Sequence, residues 1–201
     1  MDDHKAWSAK GLDLSVAVNI GSEHFSSTDI VKFLSKTEKA KGFSPSNMEL
    51  EITEDAIFSS DKNVEKAINA LHQRGYKIAI DDFGIGYSNI ARLCSLPVDS
   101  LKIDRSVIIN AGKDRRVAWM MNCIVSMADK LGCETVAEGV ETSRHASRSA
   151  ACGIHTLQGF LFSPSLPVDE LVEWVQDHEV SINADASRSK TSLPAPQSKA
   201  A

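Results

Sequence analysis

Long apolar runs are missing from this chain. No uninterrupted hydrophobic stretch among its 201 residues approaches the length that crosses a bilayer. The opening Met1-Asp2-Asp3-His4 lacks the positive region and apolar stretch of a signal peptide. A cytoplasmic protein without a membrane segment is therefore expected. Cysteine is sparse as well: Cys94, Cys123, Cys133 and Cys152 form no C-x-x-C pair and no short Cys/His spacing, which argues against a disulfide framework and a zinc site. Positive charge is not in excess, with 22 Lys and Arg against 27 Asp and Glu and a net charge of −5. Such a chain has no basic face for a DNA or RNA polymer, so any phosphate-bearing ligand has to be met by local cations or metal ions. What remains, 42% hydrophobic and 24% charged residues, is an ordinary globular composition with length for one sizeable core.

Six short segments rich in Val, Ile and Leu read as strands: SVAVNI (15–20), MELEI (48–52), KIAIDD (77–82), SLKID (100–104), TVAEGV (135–140) and TLQGF (156–160). Helical patterns alternate with them. In 61–74, Val64, Ala67, Ile68 and Leu71 recur at helical spacing and Gly75 offers a C-terminal cap; in 114–131 the stripe is Val117, Met120, Ile124, Met127 and Leu131, closed by Gly132. Further helices are expected over 27–42, with Ser27 or Thr28 as cap, and over 167–175, while 6–11 resembles the last turn of another. Alternation of strand and helix makes the fold α/β, with strands paired in parallel. Residues 1–178 are expected to form one domain and 179–201, Ser-, Ala-, Lys- and Pro-rich without apolar periodicity, a disordered tail.

The chemistry is in how the strands end. Asn19 closes the first, Glu51 and Glu54 the second, and Asp81 and Asp82 the third; Lys102 lies in the fourth, Glu138 in the fifth and Gln158 in the sixth. Singly, each has an ordinary structural reading as a helix cap, a surface ion pair or a turn residue. Together they point to one mouth at the C-terminal ends of a parallel barrel. Carboxylates packed closely repel one another unless cations compensate, and hard oxygen ligands suit Mg²⁺ or Mn²⁺. Five acids and an amide exceed the needs of one ion, so two are expected, as in sites where a pair about 3.5 to 4 Å apart assists attack on phosphodiesters. Beside such cations the pKa of Lys102 should fall, letting it orient or deprotonate a water, although a plain counter-ion role also fits. Acid-ligated Mg²⁺ with a barrel lysine as base also describes enolase-type proton abstraction. The adjacent Asp81-Asp82 pair, which lets one carboxylate bridge two ions, tilts the reading towards the two-metal site.

The motifs VNI (18–20), ELEITE (49–54), IDDFGIGYSN (80–89), LPVDSLKIDRS (96–106), VAEGVET (136–142) and QGFLFSPSLP (158–167) resemble, in order and spacing, those of the EAL-domain family. The resemblance runs from about residue 6 to about 176. It implies a TIM-like barrel that hydrolyses cyclic di-GMP to linear pGpG with Mg²⁺ or Mn²⁺. It further implies that Asn19, Glu51, Asp81, Asp82 and Glu138 are metal-binding, with Asp81 as bridge. Lys102 matches the lysine that contacts the attacking water, and Gln158 the glutamine near that water and the scissile phosphate. Glu54 and Glu141 match glutamates that stand behind the ligands, Glu54 steadying the loop after Asp82. That loop, FGIGYSN, is implied to couple dimer contacts to the metal site.

Four features depart from the family pattern. Ile85 stands where threonine is usual, Gly21 where serine is usual, and 143–152 is poor in large apolar residues. The Glu-Ala-Leu tripeptide and the arginine shortly after it are not in the sequence, which leads to the expectation of six strands out of eight. The expected protein is thus a homodimer or part of a longer protein. The alternative function is a catalytically inactive EAL-like module that binds cyclic di-GMP or a protein partner.

Overall fold

Leu50, Ile52, Ile78, Ile80, Leu101 and Ile103 occupy alternate positions on three successive strands, and all six are fully buried. Side chains alternate between faces along a strand, so this pattern commits one face of the sheet to a helical cover and leaves the other for different residues. The computed structural model describes residues 2–12, 14–25, 29–58, 62–86 and 89–178. Ser27, Thr28, Tyr87 and the expected tail 179–201 lie outside the described residues.

Six strands run β1 Val16–Asn19, β2 Met48–Thr53, β3 Lys77–Phe83, β4 Ser100–Ile103, β5 Glu134–Ala137 and β6 Thr156–Leu157. They form one sheet in sequential order, every neighbouring pair parallel. Each crossover carries helix, including Asp29–Lys41, Lys62–Gln73, Arg105–Asn110, Arg115–Leu131 and Ser143–Ala151. This is the architecture of an incomplete TIM-like β/α barrel. Val64, Ala67, Ile68 and Leu71 of one helix and Met121, Ile124, Val125 and Ala128 of another are buried in the core that also holds the outer sheet face. Asp114 caps the long helix through its side chain, accepting from the Arg116 N–H, and Gly132 ends it at a φ of 74°.

The described residues form two compact units, one within 14–164 with the sheet, the other residues 2–12 together with 165–178. The second contains the helix Asp2–Ser8, a helix over 168–178, and an exposed Lys10–Asp169 ion pair at 3.3 Å.

The N-terminal ends of the strands are clasped by polar contacts. Asp99 accepts from the Ile78 N–H at 2.8 Å through Oδ2, while its own N–H donates to the Ile78 carbonyl at 2.9 Å. The Thr135 N–H donates to His155 Nδ1 at 3.1 Å, and the His155 N–H returns a bond to Thr135 Oγ1 at 3.3 Å.

β5 and β6 end at Ala137 and Leu157, three residues short of the segments expected from their apolar content. There the backbone leaves the ladder for bonds between the two loops, Val140 N–H to the Gln158 carbonyl at 3.0 Å and Leu161 N–H to the Val140 carbonyl at 2.9 Å. Glu138 and Gln158 consequently stand just past their strands.

Leu101 is wholly buried in the middle of the sheet. Leu101→Ala should cost about 3 kcal/mol, read as a lower urea midpoint at unchanged slope. A shift below about 1 kcal/mol would show that the site collapses around the deletion.

Candidate active site

The sheet face opposite the helices carries the polar residues. Register sets Asn19 beside Glu51, and the alternation that buries Leu101 and Ile103 beneath helices turns Lys102 the other way. Lys102 is only 5% exposed, and its Nζ lies 2.5 Å from Glu51 Oε1, 2.6 Å from Glu138 Oε1 and 3.5 Å from Asp81 Oδ1. Four successive strands or their ends thus meet on one ammonium. Burial pulls the Lys102 pKa down, but hydrogen bonds to Glu138 and Glu51 and their charges more than offset it, and the group is held well above the ordinary lysine value. The lowered pKa expected from the sequence refers to an ammonium beside divalent cations, whereas these carboxylates alone keep it charged.

Strict alternation would send Asp81 and Asp82 to opposite faces of β3. A bulge prevents this. Ile80 pairs with Leu101 and Phe83 with Ile103, so three steps on β3 match two on β4, and Asp82 takes a left-handed backbone with a φ of 55°. Aspartate tolerates that region better than most side chains, at a cost on the order of 1 kcal/mol. The extra residue turns both carboxylates towards the mouth, where Asp81, Asp82 and Glu138 each offer an oxygen within 4.8 Å of the others.

Glu54 is buried and accepts from the Gly84 N–H at 3.1 Å, fastening the turn that follows the aspartates. Asn19 is exposed at the end of the edge strand, and Gln158 is exposed just past the sixth. Glu141 is also exposed and accepts at 2.6 Å from Arg105, a residue that the strand pattern does not single out. Arg105 opens a helix just past β4, outside any alternation; its nearest sequence signal is the Asp104 cap beside it. A cleft of about 510 Å³ is lined by Arg105, Glu138, Gly139, Glu141, Gln158 and Phe160, among others.

These residues fit divalent cations. Asp81 Oδ1 is buried without a hydrogen-bond partner, since Lys102 at 3.5 Å is an ion pair by distance but not a hydrogen bond by geometry. A buried carboxylate oxygen without a donor calls for a cation. Burial, then the neighbouring Asp81 and Asp104, raise the Asp82 pKa; burial also raises that of Glu138, against the opposing pull of Lys102. The arrangement stores repulsion that a hard cation relieves.

Fold and site together define an incomplete β/α-barrel protein with an acidic mouth at its strand C-termini. The chain belongs to the EAL domain family, whose model matches residues 1–165. It is similar to the cyclic di-GMP phosphodiesterase NbdA of Pseudomonas aeruginosa, 35% identical over 163 residues that cover 81% of this chain and 21% of the relative. Among solved structures it is similar to the PaMucR phosphodiesterase in complex with c-di-GMP, at 32% identity and a TM-score of 0.80, covering 84% of this chain and 69% of that one. It is also similar to the manganese/cy-diGMP complex of Klebsiella pneumoniae BlrP1, at 31% identity and a TM-score of 0.69 over 75% of this chain and 38% of that one. The chain spans about a fifth of the length of the curated relatives it matches first, 21% in each of two cases. Among the described residues no helix is long and apolar enough to cross a membrane.

A carboxyl whose folded pKa is raised destabilises the fold above its unfolded pKa, and the deficit vanishes as pH falls below that value, about 3.9 for aspartate. Asp82→Asn keeps a side chain that tolerates left-handed backbone and removes the charge. In EDTA at pH 7 it should melt higher than the wild type, the gap closing towards pH 3.5. Mn²⁺ should raise the wild-type melting temperature more than that of the variant. Equal melting of the two proteins across this range would contradict the repulsion.

Proposed function

We propose that this chain hydrolyses cyclic di-GMP to linear pGpG, adding water across one P–O3′ bond, in the cytoplasm and as a homodimer or within a longer protein. The carrying observation is the convergence of Asp81, Asp82 and Glu138 beside a buried Lys102 in a chain of the EAL domain family. The names of its relatives support the substrate.

Asn19, Glu51, Asp81, Asp82 and Glu138 would hold two Mg²⁺ or Mn²⁺ ions, which would supply Lewis acidity to the phosphate and activate water near neutral pH. The remaining tasks fall to the chain. Lys102, 2.5 Å from Glu51 and 2.6 Å from Glu138, is placed to orient a water beside these ligands. Glu54 holds the Gly84 turn, and with it the strained Asp82 backbone, in place. Gln158, exposed in the cleft, offers an amide to the water and the scissile phosphate. Glu141 lines the same cleft and anchors Arg105.

Incubation of the purified protein with cyclic di-GMP and Mn²⁺, followed by chromatography, should show pGpG. Asp81→Asn should reduce its formation by about 100-fold, because a metal-holding carboxylate would be lost. Binding of cyclic di-GMP in Ca²⁺ without any pGpG in Mn²⁺ would replace this reading with that of a non-hydrolysing binding module.

A further inference from the structure

A ligand with two phosphodiesters brings two negative charges to a mouth that is itself acidic. Lys102 cannot meet them: it is 5% exposed and already faces three carboxylates. The cleft beside it is lined by Glu138 and Glu141, and Arg105 is the one cation among its described lining residues. Arg105 is well placed for this task. Its side chain is 56% exposed, and among the described residues its guanidinium makes one hydrogen bond, to Glu141 at 2.6 Å. A guanidinium has five N–H donors in a planar fork that matches phosphate, so most of this one's capacity is left for a ligand.

The head is also held still. Asp104 caps the helix that Arg105 opens, accepting from the Ser106 N–H at 2.8 Å. The stem of Arg105 lies directly on Gly139, where a Cβ would come within 2.3 Å of Arg105 Cγ and 2.5 Å of Cδ. Any larger residue at 139 would lift the arginine from its seat. A side chain fixed at stem and head loses little entropy when it binds. Phe160, 72% exposed, lines the same cleft and presents an aromatic face of the kind on which bases stack.

We infer that Arg105 is a ligand-binding residue of this site, its free N–H edge taking a phosphate oxygen of the cyclic dinucleotide while Phe160 supports a base. The inference rests on the proposed substrate. It adds a residue outside the metal-binding set, a cation of the chain itself that meets the anion beside the acidic mouth. Glu141, in this arrangement, aims the arginine and partly screens its charge.

Titration calorimetry of the full chain with cyclic di-GMP in Ca²⁺ tests this, with Arg105→Ala and Arg105→Lys beside the wild type. Loss of one charge-assisted phosphate contact should weaken binding about 10- to 100-fold in the alanine variant. The lysine variant, with charge but no fork, should recover part of that loss. Wild-type affinity should fall with added salt more steeply than that of Arg105→Ala, because a charge contact has been removed. Ca²⁺ affinity and melting temperature, measured without dinucleotide, should match in all three proteins. Wild-type binding with Arg105→Ala equally tight, or with salt dependence unchanged, overturns the inference. So does a parallel loss of Ca²⁺ affinity, which would make Arg105 a support for Glu138 only. Absence of dinucleotide binding in the wild type removes the proposed substrate itself and this inference with it, an outcome separate from those in which the wild type binds and the variants do not differ.

Discussion

A buried ammonium between carboxylates is the constraint on which this site depends. Bringing Lys102, Glu51 and Glu138 out of water is costly, and only close pairing at 2.5 and 2.6 Å makes it tolerable. The three groups come from β2, β4 and the end of β5, so their pairing requires these strands to hold their heights relative to one another. Removing one partner leaves a buried charge unmatched, a far larger penalty than the net worth of the pair. The polar face of the sheet is therefore a mutually dependent set. The apolar face beneath the helices supplies the stability that permits it.

The second constraint is the bulge in β3. A regular strand delivers one side chain per two residues to a given face, so two neighbouring carboxylates at one mouth require an irregular backbone. The φ of 55° at Asp82 is where that irregularity is concentrated. Glu54 fastens the turn immediately beyond, through Gly84. Backbone strain, stored repulsion and an oxygen without a donor all fall within two adjacent residues. Local conflict of this kind is what separates a functional strand end from the consistent remainder of a fold.

Much of this was legible in the sequence, because much of it follows from periodicity. The strands and the long helix 115–131 appear within a few residues of where apolar spacing puts them, and the strand-end acids are visible as soon as the strands are read in parallel. The bulge was not legible. Two consecutive aspartates look the same whether they share a face or not, and the left-handed backbone at Asp82 has no glycine to announce it. Arg105 was missed for a different reason: it is a helix-opening residue past the end of a strand, and its importance comes from Gly139 and Glu141, more than thirty positions away in sequence. The shortened β5 and β6 were hidden because Val140 has strand-like composition yet bonds through its backbone to Gln158 and Leu161 of the neighbouring loop. Contacts set by neither period nor adjacency are those that composition cannot report.

The clasps at the other end of the strands, Asp99 with Ile78 and Thr135 with His155, carry a consequence for folding accuracy. Parallel strands can slide past one another, and a slip of one residue exchanges the two faces of a strand. In β4 such a slip would drive Ile103 among the carboxylates and push Lys102 under the helices, ruining core and mouth at once. Reciprocal side-chain and backbone bonds at Ile78 and Thr135 are satisfied in a single alignment. The end of the barrel that takes no part in chemistry thus acts as its ruler, setting the heights at which the opposite end finds its charges matched.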